Sequence, residues 1–176
     1  RMKLTQPHIF GLAFAAAIFA LDQLVKALMI GPLALQDVGS IEILPFFDLR
    51  WTENYGVSLG LFTAASDTQR WVLVGVTAII AVVVLVWMLR ERLVGEIAAL
   101  ALVLGGALGN ILDRARFGYV VDYADLHFGT FRPFLIFNIA DAAITIGVLI
   151  ILARSLLSRE KPKHTGDTAP ESQTNA

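Results

Sequence analysis

Long unbroken apolar stretches, rather than alternating ones, dominate this chain. "IFGLAFAAAIFALDQLVKALMI" (Ile9 to Ile30) is apolar on most faces and closes at Gly31-Pro32, where a helix cannot continue. "WVLVGVTAIIAVVVLVWML" (Trp71 to Leu89) carries no charge and has tryptophans near each end, where bilayer interfaces favour them. "IAALALVLGGALGNIL" (Ile97 to Leu112) and the segment from about Phe134 to Ala153 complete the set. Each approaches the roughly 20 residues that cross a bilayer. The pattern predicts helices over about 9–30, 70–90, 95–113 and 134–155. Lys3 and the small residues of "FAAAIFA" invite a cleaved-leader reading, but the apolar run continues through Asp22 and Lys26 and reads as a retained helix.

The segments between these blocks differ in kind. "IEILPFFDLRWTENYGVSLGLF" (Ile41 to Phe62) is rich in aromatic and β-favouring residues, with partial alternation through Phe47, Leu49 and Trp51. "GYVVDYADLHF" (Gly118 to Phe128) has similar character. Segments 40–62 and 118–132 are therefore expected to form short strands in a small platform at the membrane–water interface. The expected fold class is an α-helical membrane protein with four transmembrane helices and a small β platform at the outer membrane–water interface. Residues 1–157 form one membrane domain on this reading, and 158–176, polar and proline-containing, form a disordered cytoplasmic tail.

Composition agrees with the pattern. Of 176 residues, 56% are hydrophobic and 16% charged, against about 25% charged in an ordinary soluble domain. The absence of cysteine excludes disulfides, thiol catalysis and cysteine-based zinc sites. The formal net charge of −1 gives no reason to expect nucleic-acid binding. Locally, Arg1, Lys3, Arg90, Arg92, Arg154, Arg159, Lys161 and Lys163 fall on one side of the predicted spans. Arg50 and Arg70 face Asp37, Glu42, Asp48, Glu53 and Asp67 on the other. Positive charge collects on the cytoplasmic side, so both termini are expected there.

Candidate chemistry begins with a misfit. Asp141 lies in "FNIADAAITIGVLIILA", which holds no other charge, and a carboxylate at membrane depth costs at least about 2.5–3.5 kcal/mol on insertion scales. If that helix begins near Phe134, Asp141 sits about 9–11 Å into it. Asp122, on the strand-like outer segment, is the partner expected to share its site. Two close carboxylates share a proton, so one can act as base on water while the other acts as acid. Asn138 with Asp141, and Asn110 with Arg114, have the spacing of a shared helix face. Asp22 and Lys26 are spaced for an intrahelical, structural ion pair. Asp113 reads as a helix-end polar group. His8, His127 and His164 are scattered without ligand spacing and no "HExxH" occurs, so neither a metal nor any other cofactor is expected. Ser58 with Lys26 offers a serine-protease alternative, and a proton-relaying transporter using the two aspartates is a second. The inner halves of the blocks carry few polar residues, which disfavours a path across both leaflets.

"DQLVK", "NYGVSLG", "GGALGNILDRARFGYVVDY" and "FNIADAAI" occur in the order and contexts of bacterial lipoprotein signal peptidase, which the chain resembles from about residue 10 to 153. The resemblance implies a four-helix inner-membrane aspartic endopeptidase with its site facing the periplasm. Such an enzyme removes the signal peptide from prolipoproteins by cutting before the diacylglyceryl-modified cysteine. Carried over by motif, Asp122 and Asp141 are its catalytic aspartates, and Asn54, Asn110, Arg114 and Asn138 bind substrate or support the site. The Tyr of "VVDY" stands where the family often has Phe, which touches no catalytic group. The implied partners are diacylglyceryl-prolipoproteins and membrane lipids, with the enzyme acting as a monomer.

Overall fold

The computed structural model describes residues 5–56 and 67–159. Its elements are α1 (Gln6–Ile30), α2 (Leu35–Val38), β1 (Ser40–Leu44), β2 (Phe47–Asn54), α3 (Asp67–Arg90), α4 (Val94–Phe117), β3 (Val120–Leu126) and α5 (Ile139–Arg159). Helices α1, α3, α4 and α5 are long and apolar enough to cross a bilayer. The expected architecture of four apolar spans and a small sheet is present. Ser58, the tail beyond Arg159 and the first four residues lie outside the described residues.

Helix α4 is the hub, packing against each of the other three long helices. Gly105 and Gly106 make that possible. A Cβ on Gly105 would lie 2.5 Å from the Ala15 carbonyl of α1, and one on Gly106 would lie 2.5 Å from the Ala140 carbonyl of α5. Small residues allow such backbone approach where lipid supplies no hydrophobic drive for helix association. Between these contacts α4 buries Ala99, Leu100, Ala101, Val103 and Leu104. By contrast α3 leaves Val72, Val76, Ile79, Ile80, Val82 and Val83 exposed, as a lipid-facing helix would.

The three strands form an antiparallel sheet in the order β1-β2-β3, with β2 against β3 from Phe47↔Leu126 to Asn54↔Val120 and a bulge between Leu49 and Thr52. Phe47, Leu49 and Trp51, the alternating positions, pack with Val121, Tyr123, Ala124, Met29 and Leu35 in a second core under the sheet. The one-turn helix α2 has no sequence signal of comparable strength, and it serves to bury Leu35 there.

Two helix boundaries depart from expectation. Helix α4 runs past Asp113 to Phe117 and stops at Gly118, which takes the left-handed conformation (φ 88°). Arg70 of α3 donates to the Arg114 and Ala115 carbonyls at 2.7 and 2.5 Å, satisfying that exposed end. Helix α5 begins at Ile139 rather than near Phe134, because Phe137 is held extended by a bridge to Ala124 of β3. Asp141 therefore sits in the first turn of α5, not two turns in.

Candidate active site

The site forms where β3, the C-terminal half of α4 and the start of α5 meet. Asn138 caps α5: its side-chain oxygen accepts the Asp141 N–H at 2.9 Å. It is thus a capping residue and not a helical neighbour of Asp141, as the i,i+3 spacing suggested. The cap orients the rest of the amide, so Asn138 Nδ2 donates to Asp122 Oδ1 at 2.6 Å. Asn54, at the end of β2, donates to the other oxygen, Asp122 Oδ2, at 2.9 Å. Its own side-chain oxygen accepts the Gly56 N–H at 2.9 Å, which fixes the amide's direction. Asn110 of α4 donates to Asp141 Oδ1 at 2.8 Å.

Asp122 is 1% exposed and, among the described residues, receives its side-chain hydrogen bonds from neutral amides. Burial, and next the charge of Asp141, push its carboxyl up to about 7. The asparagine hydrogen bonds and the more distant Lys26 ammonium act the other way and only partly offset this. Asp141 is partly exposed, so one acid is enclosed and its neighbour is reachable. The guanidinium of Arg114 lies close by, against Gly56, and its buried Nε has no hydrogen-bond partner among the described residues.

Asp22 and Lys26 do form the expected ion pair, at 2.9 Å and almost wholly buried. Two further residues join them that sequence reasoning missed. Asp113, read as a helix-end group, is fully buried and bonds Lys26 at 2.7 Å. It also accepts the Val121 N–H at 3.1 Å, anchoring β3 beside Asp122. Gln23 bridges Asp22 and Asp113 at 3.1 and 3.0 Å. The available signal was a face match: Asp113 follows Gly109 and Asn110 by one helical turn, as Lys26 follows Asp22. Asp22 also accepts the Ala140 N–H at 3.0 Å, so α1 supplies a second cap to α5.

Of the histidines, His8 sits at the far end of α1 bonded to the Glu91 carbonyl and His127 lies beside Asp48, while His164 is outside the described residues. Asp122, Asp141, Asn54, Asn110, Arg114 and Asn138 are thus brought together, with Asp22 and Lys26 one layer deeper.

The chain resembles known proteins along most of its length. Residues 14–157 match the family described as Signal peptidase (SPase) II. A lipoprotein signal peptidase from Sphingopyxis alaskensis is 60% identical over 152 residues, covering 86% of this chain and 88% of that protein. One from Rhizorhabdus wittichii is 57% identical, covering 85% and 87%. A bacterial membrane enzyme structure obtained by the in meso method superposes with a TM-score of 0.74 at 26% identity, covering 90% of this chain and 94% of that one. With four apolar spans, a three-stranded sheet and this sequence match in agreement, the chain belongs to the signal peptidase II family.

Proposed function

We propose that the chain removes signal peptides from diacylglyceryl-modified prolipoproteins in the bacterial inner membrane, cutting before the lipidated cysteine, with Asp122 and Asp141 as the catalytic pair. The observation that carries the dyad is the pairing of an enclosed carboxyl, raised to about 7 by burial and its neighbour's charge, with a second, reachable carboxylate. One shared proton gives a base and an acid side by side near neutral pH. The carboxylate takes a proton from water as its oxygen attacks the scissile carbonyl carbon. The protonated acid donates to the carbonyl oxygen, forming a neutral tetrahedral gem-diol. Collapse re-forms the carbonyl as one gem-diol hydroxyl returns its proton to the acid and the C–N bond breaks, and the proton taken from water passes from the base to the leaving nitrogen. The amides of Asn54, Asn110 and Asn138 hold both carboxyls in register throughout. Arg114, next to the pair, supports substrate binding through its unpartnered Nε.

The sheet end of the bundle faces the periplasm on this reading, and both termini are cytoplasmic. Arg90 and Arg92 join α3 to α4 at the opposite end, while Asp37, Glu42, Asp48, Glu53 and Asp67 lie at the sheet end. Residues 1–157 act as one monomeric peptidase domain among membrane lipids, with the polar tail in the cytoplasm. Reporter fusions after Arg90 and in the tail should read cytoplasm, and one near Asp48 should read periplasm. A periplasmic C-terminus would overturn the orientation.

The chemistry is tested with purified protein in detergent and a diacylglyceryl-modified lipobox peptide. Asp122→Asn and Asp141→Asn should each remove cleavage while leaving the thermal unfolding transition cooperative, and the double variant should be no worse than either. Substantial turnover by either single variant sinks the dyad. Loss of wild-type activity in EDTA would point to a metal.

A further inference from the structure

The buried triad beneath the site is joined to the reacting pair by one side chain. Lys26 is 2% exposed and donates 3.3 Å to Asn110 Oδ1 as well as bonding Asp22 and Asp113. The same Asn110 amide turns its Nδ2 to Asp141 at 2.8 Å. An amide held by a cation at its oxygen is polarised toward its nitrogen, so the hydrogen bond it donates is strengthened. The Asp141 side has a second source of positive potential, because this residue occupies the first turn of α5. Asp122, by contrast, is met by Asn54 and Asn138, and among the described residues neither of these amides has a cation bonded to its oxygen.

We infer that Lys26 is a positioning residue for the cleavage reaction: acting through Asn110, it fixes the negative charge of the pair on Asp141 and leaves the shared proton on Asp122. The inference rests on the dyad reading above and assigns its roles: Asp141 is the base that takes the proton from water, and Asp122 is the acid. The other charges around this path are Asp22 on α1, Asp113 and Arg114 on α4, and the two aspartates themselves. Asp22 and Asp113 together outweigh Lys26, so the relay depends on where the cation sits and not on the net charge of the cluster. Asn110 is the one member that touches both Lys26 and Asp141.

That distinction sets the test. Lys26→Gln combined with Asp113→Asn keeps the net charge of the triad, keeps an N–H donor for Asn110 and keeps an acceptor for the Val121 N–H. It removes the Lys26–Asp113 ion pair, and with it the cation on the Asn110 oxygen, at constant net charge. The bell-shaped pH profile of kcat/KM for a diacylglyceryl-modified lipobox peptide should move to higher pH by roughly half to one unit. Cleavage on the acidic limb should then fall about three- to tenfold, recovering toward alkaline pH. Asn110→Ala should move the bell in the same direction, and adding the Lys26/Asp113 changes to Asn110→Ala should move it no further. A purely structural role would lower the unfolding temperature and leave the bell in place. An unmoved bell in the folded Lys26/Asp113 variant, or shifts that add with Asn110→Ala, overturns the relay. If the Lys26/Asp113 variant does not fold, the Asn110→Ala profile decides, since it cuts the relay with the triad intact, and an unmoved bell overturns the inference. Asp141→Asn is assayed alongside: inactive, it leaves the dyad standing whatever the relay does, and active, it removes both.

Discussion

Strand β3 carries two buried carboxylates, Asp122 and Asp125, in opposite electrostatic circumstances. Strand alternation turns them to different faces. Among the described residues, the Asp122 carboxyl is hydrogen-bonded by the amides of Asn54 and Asn138. Asp125, 0% exposed, is clamped by Arg132 Nε at 3.1 Å and by Arg50 Nε at 3.3 Å. Burial is shared, so burial alone does not separate the acid proposed to react from its neighbour on the strand. The partners do. Two guanidiniums offset the charge of Asp125 and tie β3 to Arg50 of β2 and to Arg132. Neutral amides at Asp122 fix its direction without cancelling its charge, which leaves its proton free to move near pH 7.

The contrast breaks most sharply on activity. Asp122→Asn should cost roughly 10²–10⁴-fold in kcat or more, the range of general acid–base catalysis. Asp125→Asn, three positions along the same strand, should leave kcat within about threefold. It should lower the unfolding temperature, with a cost near 1 kcal/mol because both guanidiniums are about 40% exposed and screened by solvent. A catalytic collapse in Asp125→Asn would erase the distinction.

Stability against pH sharpens it further. Asp122 titrates at about 7 in the folded chain against an ordinary 3.8, so the folded state holds this proton more tightly. Its contribution to stability is whole below about pH 4 and is lost as pH rises through about 7, at up to roughly 1.4 kcal/mol per pH unit. Asp122→Asn has no such proton to lose. Thermal melts should place it above the parent at pH 8, with the two curves converging toward pH 4. A parallel offset at all pH values would show that Asp122 is not held protonated.

Arg114 gives the smallest effect. Arg114 lies beside the acids without bonding either, so on the proposed reading it should matter for binding first. Arg114→Ala should raise KM about tenfold with kcat changed less than about threefold. Equal losses in both would place Arg114 in the chemistry instead.

The features legible in the sequence were those written in contiguous residues. The four apolar runs, the Gly31-Pro32 stop, the strand-forming alternation through Phe47, Leu49 and Trp51, and the Asp22–Lys26 spacing all carry their signal locally. The convergence of Asp122 with Asp141 could be read because an isolated acid in an apolar helix demands a partner. The corrections share the opposite character. Asn138 became a cap because Phe137 pairs with Ala124, a contact that helix propensity cannot see. Arg70 reaches the end of α4 from 44 residues away, and Asp22 reaches Ala140 from 118 away. Asp113 looked like a helix end because charge resumes there, yet Arg70 and Gly118 carry the helix on to Phe117.

The hydrogen bond from Ala140 to Asp22 bears on biogenesis. An amide N–H at the start of a membrane helix, like a carboxylate in an apolar one, is expensive to leave bare in lipid. Asn138 serves the Asp141 N–H from within the last span, but the Ala140 N–H gains its partner only when the first span is already against it. Asp141 lies in that turn, so its placement is tied to the packing of the first span against the last. On the proposed dyad, a nascent chain whose first and last spans have not packed holds both aspartates without the contact that sets the start of α5 beside β3.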